Sequence, residues 1–159
     1  MARSDIQNAF KIIPINPADY ELQGFEWQGQ FYFDKTLAMG CSLSCHIFEA
    51  FSTALQWILQ NKFKIELVTH ILDDFFFVHP SKRGCQALLD KFLWLCNDIG
   101  IPIALEKTFG PDQVLPFVGI TLDSVNMETR LPPDKIQKAT VLLAKYSKKR
   151  SIMLHELQP

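Results

Sequence analysis

The sequence predicts an α+β domain of the split βαββαβ type, in which an antiparallel sheet is backed by two helices. Two long segments, residues 43–61 and 81–99, repeat their apolar side chains at helical spacing. Short runs rich in β-branched and aromatic residues flank both segments, as expected for strands. With 159 residues, 48% of them hydrophobic, the chain suits one domain with its own core. This composition excludes a disordered or fibrous chain.

The N-terminal third is predicted to consist of extended segments. Residues 3–7 form the first strand, and residues 12–17 are extended because each proline disfavours helix in the residue before it. Residues 22–34 alternate around Gln28-Gly29, a pattern typical of a β-hairpin.

Capping signals bound the helices. Ser42 or Ser44 is expected to cap the first helix, while Ser81 caps the second and Gly100 ends it. A last amphipathic helix is predicted to open at Pro132-Pro133. The remaining strands are expected at residues 65–72, 75–79, 101–105, 114–118 and 119–123.

Charge is distributed unevenly along the chain. The formal net charge is −1, which excludes a globally basic nucleic-acid binder. Residues 1–129 nevertheless carry 9 basic and 15 acidic side chains, whereas residues 130–150 carry 7 basic side chains and one acidic. A basic segment after an acidic body indicates a partner for that segment, with a solubilising face as the plain alternative.

Cysteine content and the N-terminus predict a location inside the cell, in the cytoplasm or nucleus, with no membrane span. There are four cysteines and no signal peptide, which favours a reducing compartment. A zinc site is disfavoured because the spacing fits no familiar ligand pairing and the cysteines fall at apolar helix positions, where buried, inert thiols are expected. The cysteines are Cys41, Cys45, Cys85 and Cys96.

Asp73 and Asp74 form the most informative pair of residues. They interrupt an apolar stretch, residues 65–79, that should lie in the sheet. Adjacent carboxylates near a core repel each other and lose hydration, so they call for a counter-ion such as Mg²⁺, which prefers oxygen ligands. From this segment alone, a plain hairpin turn that uses aspartate for its turn chemistry is an equally good interpretation.

Asp5 shifts that balance toward a metal site. It ends the first strand, which in a split βαββαβ sheet pairs beside the Asp73-Asp74 hairpin. Three carboxylates at one end of a sheet could hold two metal ions roughly 4 Å apart, the arrangement used for in-line displacement at phosphorus.

These residues resemble motifs of reverse transcriptases, and the match runs in order along nearly the whole chain. The motif sequences are most similar to those of retrotransposon enzymes of the tyrosine-recombinase (DIRS) class, with gypsy-type elements second. The resemblance implies a ferredoxin-like (RRM-like) polymerase palm at 1–126 that lacks its fingers, and the start of a basic helical thumb at 127–159. The matching segments are the first carboxylate motif at 4–15, the loop and helix at 37–48, the "YxDD" box at 71–74, the glycine–lysine motif at 100–108 and the "FLG" hairpin at 115–120.

The resemblance also implies specific site residues. Asp5, Asp73 and Asp74 would be catalytic and hold two Mg²⁺ ions, with Mn²⁺ as a substitute. The implied nucleotide-binding residues are Phe10, Met39, Gly40 and Lys107. The implied primer and nucleic-acid contacts are Phe117, Val118, Gly119, Lys135, Lys138, Lys145 and Lys149, with Lys148 and Arg150 as further basic candidates.

The family's usual residues are replaced at three motif positions. Ile71 replaces the tyrosine of the "YxDD" box, and Ala38 and Cys45 replace two prolines of the loop and helix. The function expected from the resemblance is templated addition of dNTPs to a primer 3′-hydroxyl, by a palm cut from a longer polyprotein with fingers, the rest of the thumb and RNase H. The alternatives are an inactive remnant that only binds nucleic acid or a partner, and an unrelated two-metal nuclease.

Overall fold

A four-stranded antiparallel sheet with two helices on one face forms the centre of the protein. The computed structural model describes residues 1–149, 151 and 153. Within that part of the chain the elements are β1 Ala2–Ile6, β2 Gly24–Trp27, β3 Gln30–Phe33, α1 Ser42–Asn61, β4 Val68–Ile71, β5 Asp74–Phe77, α2 Lys82–Asp98, β6 Ile103–Phe109, β7 Val114–Phe117, β8 Ile120–Asp123, β9 Glu128–Arg130 and α3 Pro133–Tyr146.

The topology confirms the predicted fold class. The strand order of the central sheet is β4-β5-β1-β6, and every adjacent pair is antiparallel. This order places β1 between β5 and β6, as the split βαββαβ pattern requires. A second sheet, β7-β8-β9, and the separate β2–β3 hairpin complete the sheets among the described residues.

Aromatic side chains fill the layer between the sheet and the helices. Phe48 on α1 and Phe92 on α2 are fully buried, as are Phe75 and Phe77 on β5. The ring of Phe92 lies 4.8 Å from that of Phe75 and 5.2 Å from that of Phe77, measured between centroids. This packing fixes β5, and therefore the turn that precedes it, against α2.

Helix capping follows the prediction at α2 and departs from it at α1. The Ser81 hydroxyl accepts the backbone N–H of Gly84 at 3.1 Å, as expected, and Gly100 follows the helix with a φ of 76°. At α1 the N-cap position is Cys41, which makes no side-chain cap hydrogen bond. Ser44 instead donates its hydroxyl to the carbonyl oxygen of Ala38 at 2.7 Å. That serine therefore anchors the preceding loop to the helix.

Several elements differ from their predicted bounds. The last strand of the central sheet covers 103–109 instead of 101–105, because its residues continue to pair with β1 after a register shift. Strand β9 was not predicted; it pairs with β8, so the first strand of the predicted thumb joins the β7–β8 hairpin. Within 12–17, one 3-10 helix ends at Ile12 and another begins at Pro17, which leaves only the intervening residues extended.

Helix α3 forms as predicted, but no residue of it is buried. Its apolar side chains Ile136, Val141 and Leu143 are 50%, 61% and 71% exposed. The amphipathic pattern therefore specified the helix without specifying a packing partner in the described chain. Residues 150, 152 and 154–159 of the predicted thumb lie outside the described residues.

The β2–β3 hairpin also exposes large side chains. Phe25, Trp27 and Phe31 are 52%, 63% and 85% exposed. Its turn, Gln28-Gly29, has positive φ at both residues, the type that matches the twist of a two-residue hairpin. Separately, no helix among the described residues is long and apolar enough to cross a membrane.

The cysteines divide into two buried and two exposed residues. Cys85 and Cys96 are buried on α2, and burial raises the pKa of Cys96 to about 12. Cys41 and Cys45 are exposed at the start of α1, so the expectation that all four thiols are buried was wrong for these two. The backbone N–H of Leu43 lowers the pKa of the Cys41 thiol because it stabilises the thiolate.

Candidate functional site

Strand register brings Asp5 and Asp74 side by side. Asp5 lies on β1 directly opposite Asp74 on β5, in an antiparallel pair. Directly opposite residues have their Cβ atoms roughly 5 Å apart, so both carboxylates share one region at the end of the sheet. Asp5 is only 7% exposed. The sequence prediction that β1 pairs beside the Asp73-Asp74 hairpin is confirmed.

Asp73 lies in the two-residue turn Leu72-Asp73, which we call the β4–β5 turn. Leu72 has a φ of 52°, an unusual value for a side chain branched beyond Cβ. The turn is tied to the sheet because the carbonyl oxygen of Asp73 accepts the backbone N–H of Ile6 at 3.0 Å. Since Ile6 follows Asp5, this bond sets the third carboxylate beside the first.

Burial and mutual repulsion disfavour the charged carboxylates. Loss of solvent raises the pKa of Asp73 above its usual range, and the negative charge of Asp5 adds to the shift. The pKa of Asp74 is raised for the same reason, with both neighbouring aspartates contributing. A nearby cation would stabilise the ionised form of these carboxyl groups. Such a need for a cation is the property expected of a metal site.

Lys107 supplies one such cation. Its ammonium donates to both carboxylate oxygens of Asp5 at 3.2 Å. The pair raises the pKa of Lys107, since Asp5 stabilises the protonated form. The sequence analysis placed Lys107 just beyond the predicted strand 101–105, whereas the structure puts it within β6, against Asp5. The resemblance implies that it lies near the nucleotide, which stays a prediction.

A bulge in β6 delivers Lys107 to this position. Arg3 pairs with Phe109 and Asp5 with Ala104, so β6 carries four residues where β1 carries one. Two hydroxyls close the bulge: those of Ser4 and Thr108 lie 2.9 Å apart, and Thr108 donates to the carbonyl oxygen of Ala104 at 3.2 Å. Sequence reasoning missed both hydroxyls, although Ser4 directly precedes Asp5.

The donor set fits a hard divalent cation. Asp5, Asp73 and Asp74 offer carboxylate oxygens, and Mg²⁺ is commonly bound by one or two carboxylates plus substrate phosphates. Among the described residues, however, no three His, Cys, Asp or Glu side chains are gathered closely enough to bind an ion by themselves. Metal binding here therefore requires displacement of Lys107 from Asp5 and rotation of the aspartates, with water or substrate oxygens as the remaining ligands.

The proposed nucleotide residues are split between core and surface. Phe10 packs against the core, with its ring 5.4 Å from that of Phe48. Met39 is 78% exposed, and Gly40 has a φ of 90° with nothing within 4 Å of where a Cβ would stand. The open space at Gly40 leaves room for close backbone approach by a ligand.

The β7–β8 hairpin lies over the open face of the sheet. Phe117 is buried, and its ring lies 4.7 Å from that of Phe76 on β5. Val118 and Gly119 form a two-residue turn with φ values of 45° and 79°. The ammonium of Lys135 donates to the carbonyl oxygen of Gly119 at 3.0 Å, so it joins α3 to the turn; its nucleic-acid contact stays a prediction.

The other predicted basic contacts are at the surface. Lys138 and Lys145 are exposed on α3, and Lys149 is exposed just beyond it. The ammonium groups of Lys145 and Lys149 lie 5.1 and 5.5 Å from the ring centroid of Tyr146.

Two residues of α1 were missed by sequence reasoning: Glu49 reaches the β4–β5 turn, and Gln56 reaches His70 on β4. Glu49 accepts the backbone N–H of Leu72 at 3.0 Å, and its other oxygen lies 3.2 Å from Nε2 of His70. Gln56 lies 2.5 Å from the other ring nitrogen of His70. The available signal was a set of polar residues on the helix face that also carries the core phenylalanines.

Comparison with known proteins agrees with this geometry. Residues 1–122 match the family model described as reverse transcriptase (RNA-dependent DNA polymerase). The chain belongs to the reverse transcriptase family.

Similar curated proteins are viral proteins much longer than this family member. Protein P of duck hepatitis B virus (strain United States/DHBV-16) is 31% identical over 121 residues, which cover 75% of this chain and 14% of that protein. The Pro-Pol polyprotein of feline foamy virus is 28% identical over 118 residues, or 74% of this chain and 10% of the polyprotein. This reverse transcriptase chain thus spans about a seventh or less of the length of these two relatives.

Solved structures share the fold. The foamy viral protease-reverse transcriptase in complex with an RNA/DNA hybrid has a TM-score of 0.74 at 23% identity, covering 86% of this chain and 18% of that one. The same protein in complex with dsDNA has a TM-score of 0.75 at 22% identity, covering 99% of this chain and 30% of that one. The fold of this reverse transcriptase chain is therefore that of a polymerase palm region.

Proposed function

We propose that this chain is the catalytic palm of a reverse transcriptase, which adds dNTPs to a primer 3′-hydroxyl under the direction of a template. One observation carries the proposal: Asp5, Asp73 and Asp74 meet at the end of the central sheet, where burial raises the pKa of the last two. Bound there, two Mg²⁺ ions would activate the primer hydroxyl and stabilise charge on the phosphates and leaving pyrophosphate, with Mn²⁺ as a substitute.

In this proposal the chain's residues position the reactants and hold charge. Lys107 moves from Asp5 toward the phosphates and offsets the charge that develops on the leaving group. Met39 and Gly40 border the base and ribose of the dNTP, a role supported by the exposure of Met39 and the free space at Gly40. Phe10 lies under the sugar and excludes a 2′-hydroxyl.

Nucleic acid is the proposed partner. Phe117, Val118 and Gly119 contact the primer end, supported by the packing of their hairpin on the open face of the sheet. The α3 segment, whose lysines include Lys138 and Lys145, follows the primer–template backbone with sequence-independent, salt-sensitive contacts. The similar foamy viral protein is solved in complex with an RNA/DNA hybrid and with dsDNA, which supports either kind of duplex as the ligand.

The source and setting are also proposals. The motif sequences favour a retrotransposon of the tyrosine-recombinase class as the source of the chain, with gypsy-type elements second. Fingers, the rest of a thumb and RNase H would come from a longer polyprotein, consistent with the small share of its relatives that this chain covers. The two exposed cysteines fit a reducing compartment inside the cell.

Primer extension tests the proposed chemistry. The assay uses an RNA template, Mg²⁺ and dNTPs, and compares the wild-type chain, Asp73→Asn and the control Asp98→Asn. Asp98 is exposed at the end of α2 and is not one of the three proposed metal ligands, so its substitution removes one negative charge without removing a ligand. Each protein is assayed alone and fused to an upstream fingers segment.

We expect the wild-type and Asp98→Asn fusions to extend the primer and the Asp73→Asn fusion to lose that activity. If no fusion extends the primer but each still binds primer–template, the proposed catalysis is contradicted. That result would support a remnant that only binds nucleic acid.

A further inference from the structure

We propose that Glu49 is a positioning residue that holds the β4–β5 turn, and with it Asp73, in its catalytic place. The inference rests on the proposed function, because it concerns the placement of a catalytic carboxylate. Glu49 lies on α1, one residue beyond the loop-and-helix segment 37–48 and outside every other segment that carries the resemblance.

The contact is direct and falls on the strained residue of the turn. An oxygen of Glu49 accepts the backbone N–H of Leu72 at 3.0 Å. Leu72 has a φ of 52°, a conformation that a non-glycine residue keeps only when its surroundings hold it there. The 3.0 Å distance is that of an ordinary N–H···O hydrogen bond, which an amide oxygen can also accept. Glu49 therefore supplies a restraint on the turn from the helix layer.

A second restraint comes from the sheet. Ile6 donates its N–H to the carbonyl oxygen of Asp73 at 3.0 Å. The two bonds hold successive residues of the turn, one from α1 and one from β1. Removal of the α1 bond leaves Asp73 tied at one side only, so its carboxylate samples a wider range of positions.

Glu49 is itself held by a partner. Its side chain is 46% exposed, so the carboxylate needs a fixed neighbour to keep one orientation. His70 is that neighbour: its side chain is only 7% exposed, and Nε2 lies 3.2 Å from the second oxygen of Glu49, an ion-pair distance without hydrogen-bond geometry. The ring stacks on Phe75 with 5.3 Å between centroids, and Nδ1 lies 2.5 Å from Oε1 of Gln56.

The same helix begins beside the proposed nucleotide loop. Ser44, in the first turn of α1, donates to the carbonyl oxygen of Ala38 at 2.7 Å. One rigid element thus anchors both the loop that carries Met39 and the turn that carries Asp73. Loss of the Glu49 contact should disturb metal binding and turnover while leaving the KM for dNTP unchanged, because the loop keeps its own anchor.

Mn²⁺ binding, followed by the electron paramagnetic resonance signal of the free ion, tests the inference without requiring activity. Glu49→Ala removes both the oxygen that accepts the Leu72 N–H and most of the side-chain volume. Glu49→Leu removes the same acceptor but keeps most of the volume. Glu49→Gln keeps an oxygen that accepts the Leu72 N–H. Thr53→Ala changes an exposed residue of the same helix and serves as the control. All proteins are measured below their unfolding midpoints, so loss of stability alone moves nothing.

We expect Mn²⁺ affinity to fall about tenfold in Glu49→Ala and Glu49→Leu, which corresponds to about 1.4 kcal/mol. Glu49→Gln and Thr53→Ala should stay within about twofold of the wild type, well below a tenfold change. Amide exchange at Leu72 should accelerate only in the first two variants.

Each other outcome overturns a stated claim. Wild-type affinity in both acceptor-free variants overturns the positioning role and leaves the proposed function standing. A Glu49→Gln chain as weak as Glu49→Ala overturns it too, since charge and not the acceptor would then matter. A wild-type chain that binds no Mn²⁺ overturns the proposed metal chemistry, and the inference with it.

Discussion

Substitution of Lys107 by glutamine should tighten divalent-ion binding and slow primer extension at the same time. Its ammonium lies 3.2 Å from both oxygens of Asp5, so a metal ion must displace it to use that carboxylate. In the proposed reaction the same ammonium stabilises the leaving group. The two effects have opposite consequences for affinity and rate.

The expected gain in affinity follows from the exposure of the pair. Two unit charges 3.2 Å apart attract by about 1.3 kcal/mol in water and about 5 kcal/mol at an effective dielectric constant near 20. The Lys107 side chain is 56% exposed, however, and exposed ion pairs contribute about 0.2–1 kcal/mol. We therefore expect Mn²⁺ to bind about 1.4- to 5-fold more tightly to Lys107→Gln than to the wild type.

The control separates this local effect from a change in net charge. Lys91→Gln removes one positive charge from an exposed position on α2 and should leave the Mn²⁺ affinity within error. Added salt should reduce the difference between Lys107→Gln and wild type, because salt screens exposed charges. Unchanged or weaker Mn²⁺ binding in Lys107→Gln would refute the reasoning that this lysine competes with a metal ion for Asp5.

Three further measurements test the fold and its titrating groups. Phe92→Ala should lower the free energy of unfolding by about 3–5 kcal/mol in urea melts, because the ring is fully buried against Phe75; a loss below about 1 kcal/mol would contradict that packing. Iodoacetamide should modify Cys41 much faster than Cys96 at pH 8, since the first thiol has a lowered pKa and is exposed and the second is buried with a pKa of about 12; equal rates by mass spectrometry would contradict this. Asp123 accepts backbone N–H bonds that lower its pKa. Its contribution to stability is therefore complete above pH about 4 and is lost as the pH falls through the pKa of the folded state. The difference between the urea midpoints at pH 7 and pH 3 should be smaller in Asp123→Asn than in the wild type.

Local patterns predicted the elements well where one signal dominated. Residues 43–61 and 81–99 form α1 and α2 nearly as predicted, because their apolar positions repeat at helical spacing and face one core. The Ser81 cap was also correct, since its hydroxyl satisfies an N–H that the helix itself leaves free. The cap predicted for α1 was wrong because Ser44 has a competing acceptor, the carbonyl oxygen of Ala38.

Contacts between distant segments were beyond the reach of such patterns. The β6 bulge depends on Ser4 and Thr108 meeting across 104 positions of the chain, and no local spacing encodes that. The exposed face of α3 shows the same limit, because amphipathic periodicity specifies a helix but does not supply its partner.

By itself, the sequence determined the fold class and the three aspartates of the candidate site. Apolar periodicity and turn chemistry are local properties. Asp73 and Asp74 interrupt an apolar stretch, and Asp5 belongs to the segment that resembles the first carboxylate motif. Only the tertiary structure decided that Lys107 lies on Asp5 and that Glu49 holds the β4–β5 turn. Both contacts join residues far apart in the chain, and their geometry depends on how strands and helices pack, which the order of residues does not reveal locally.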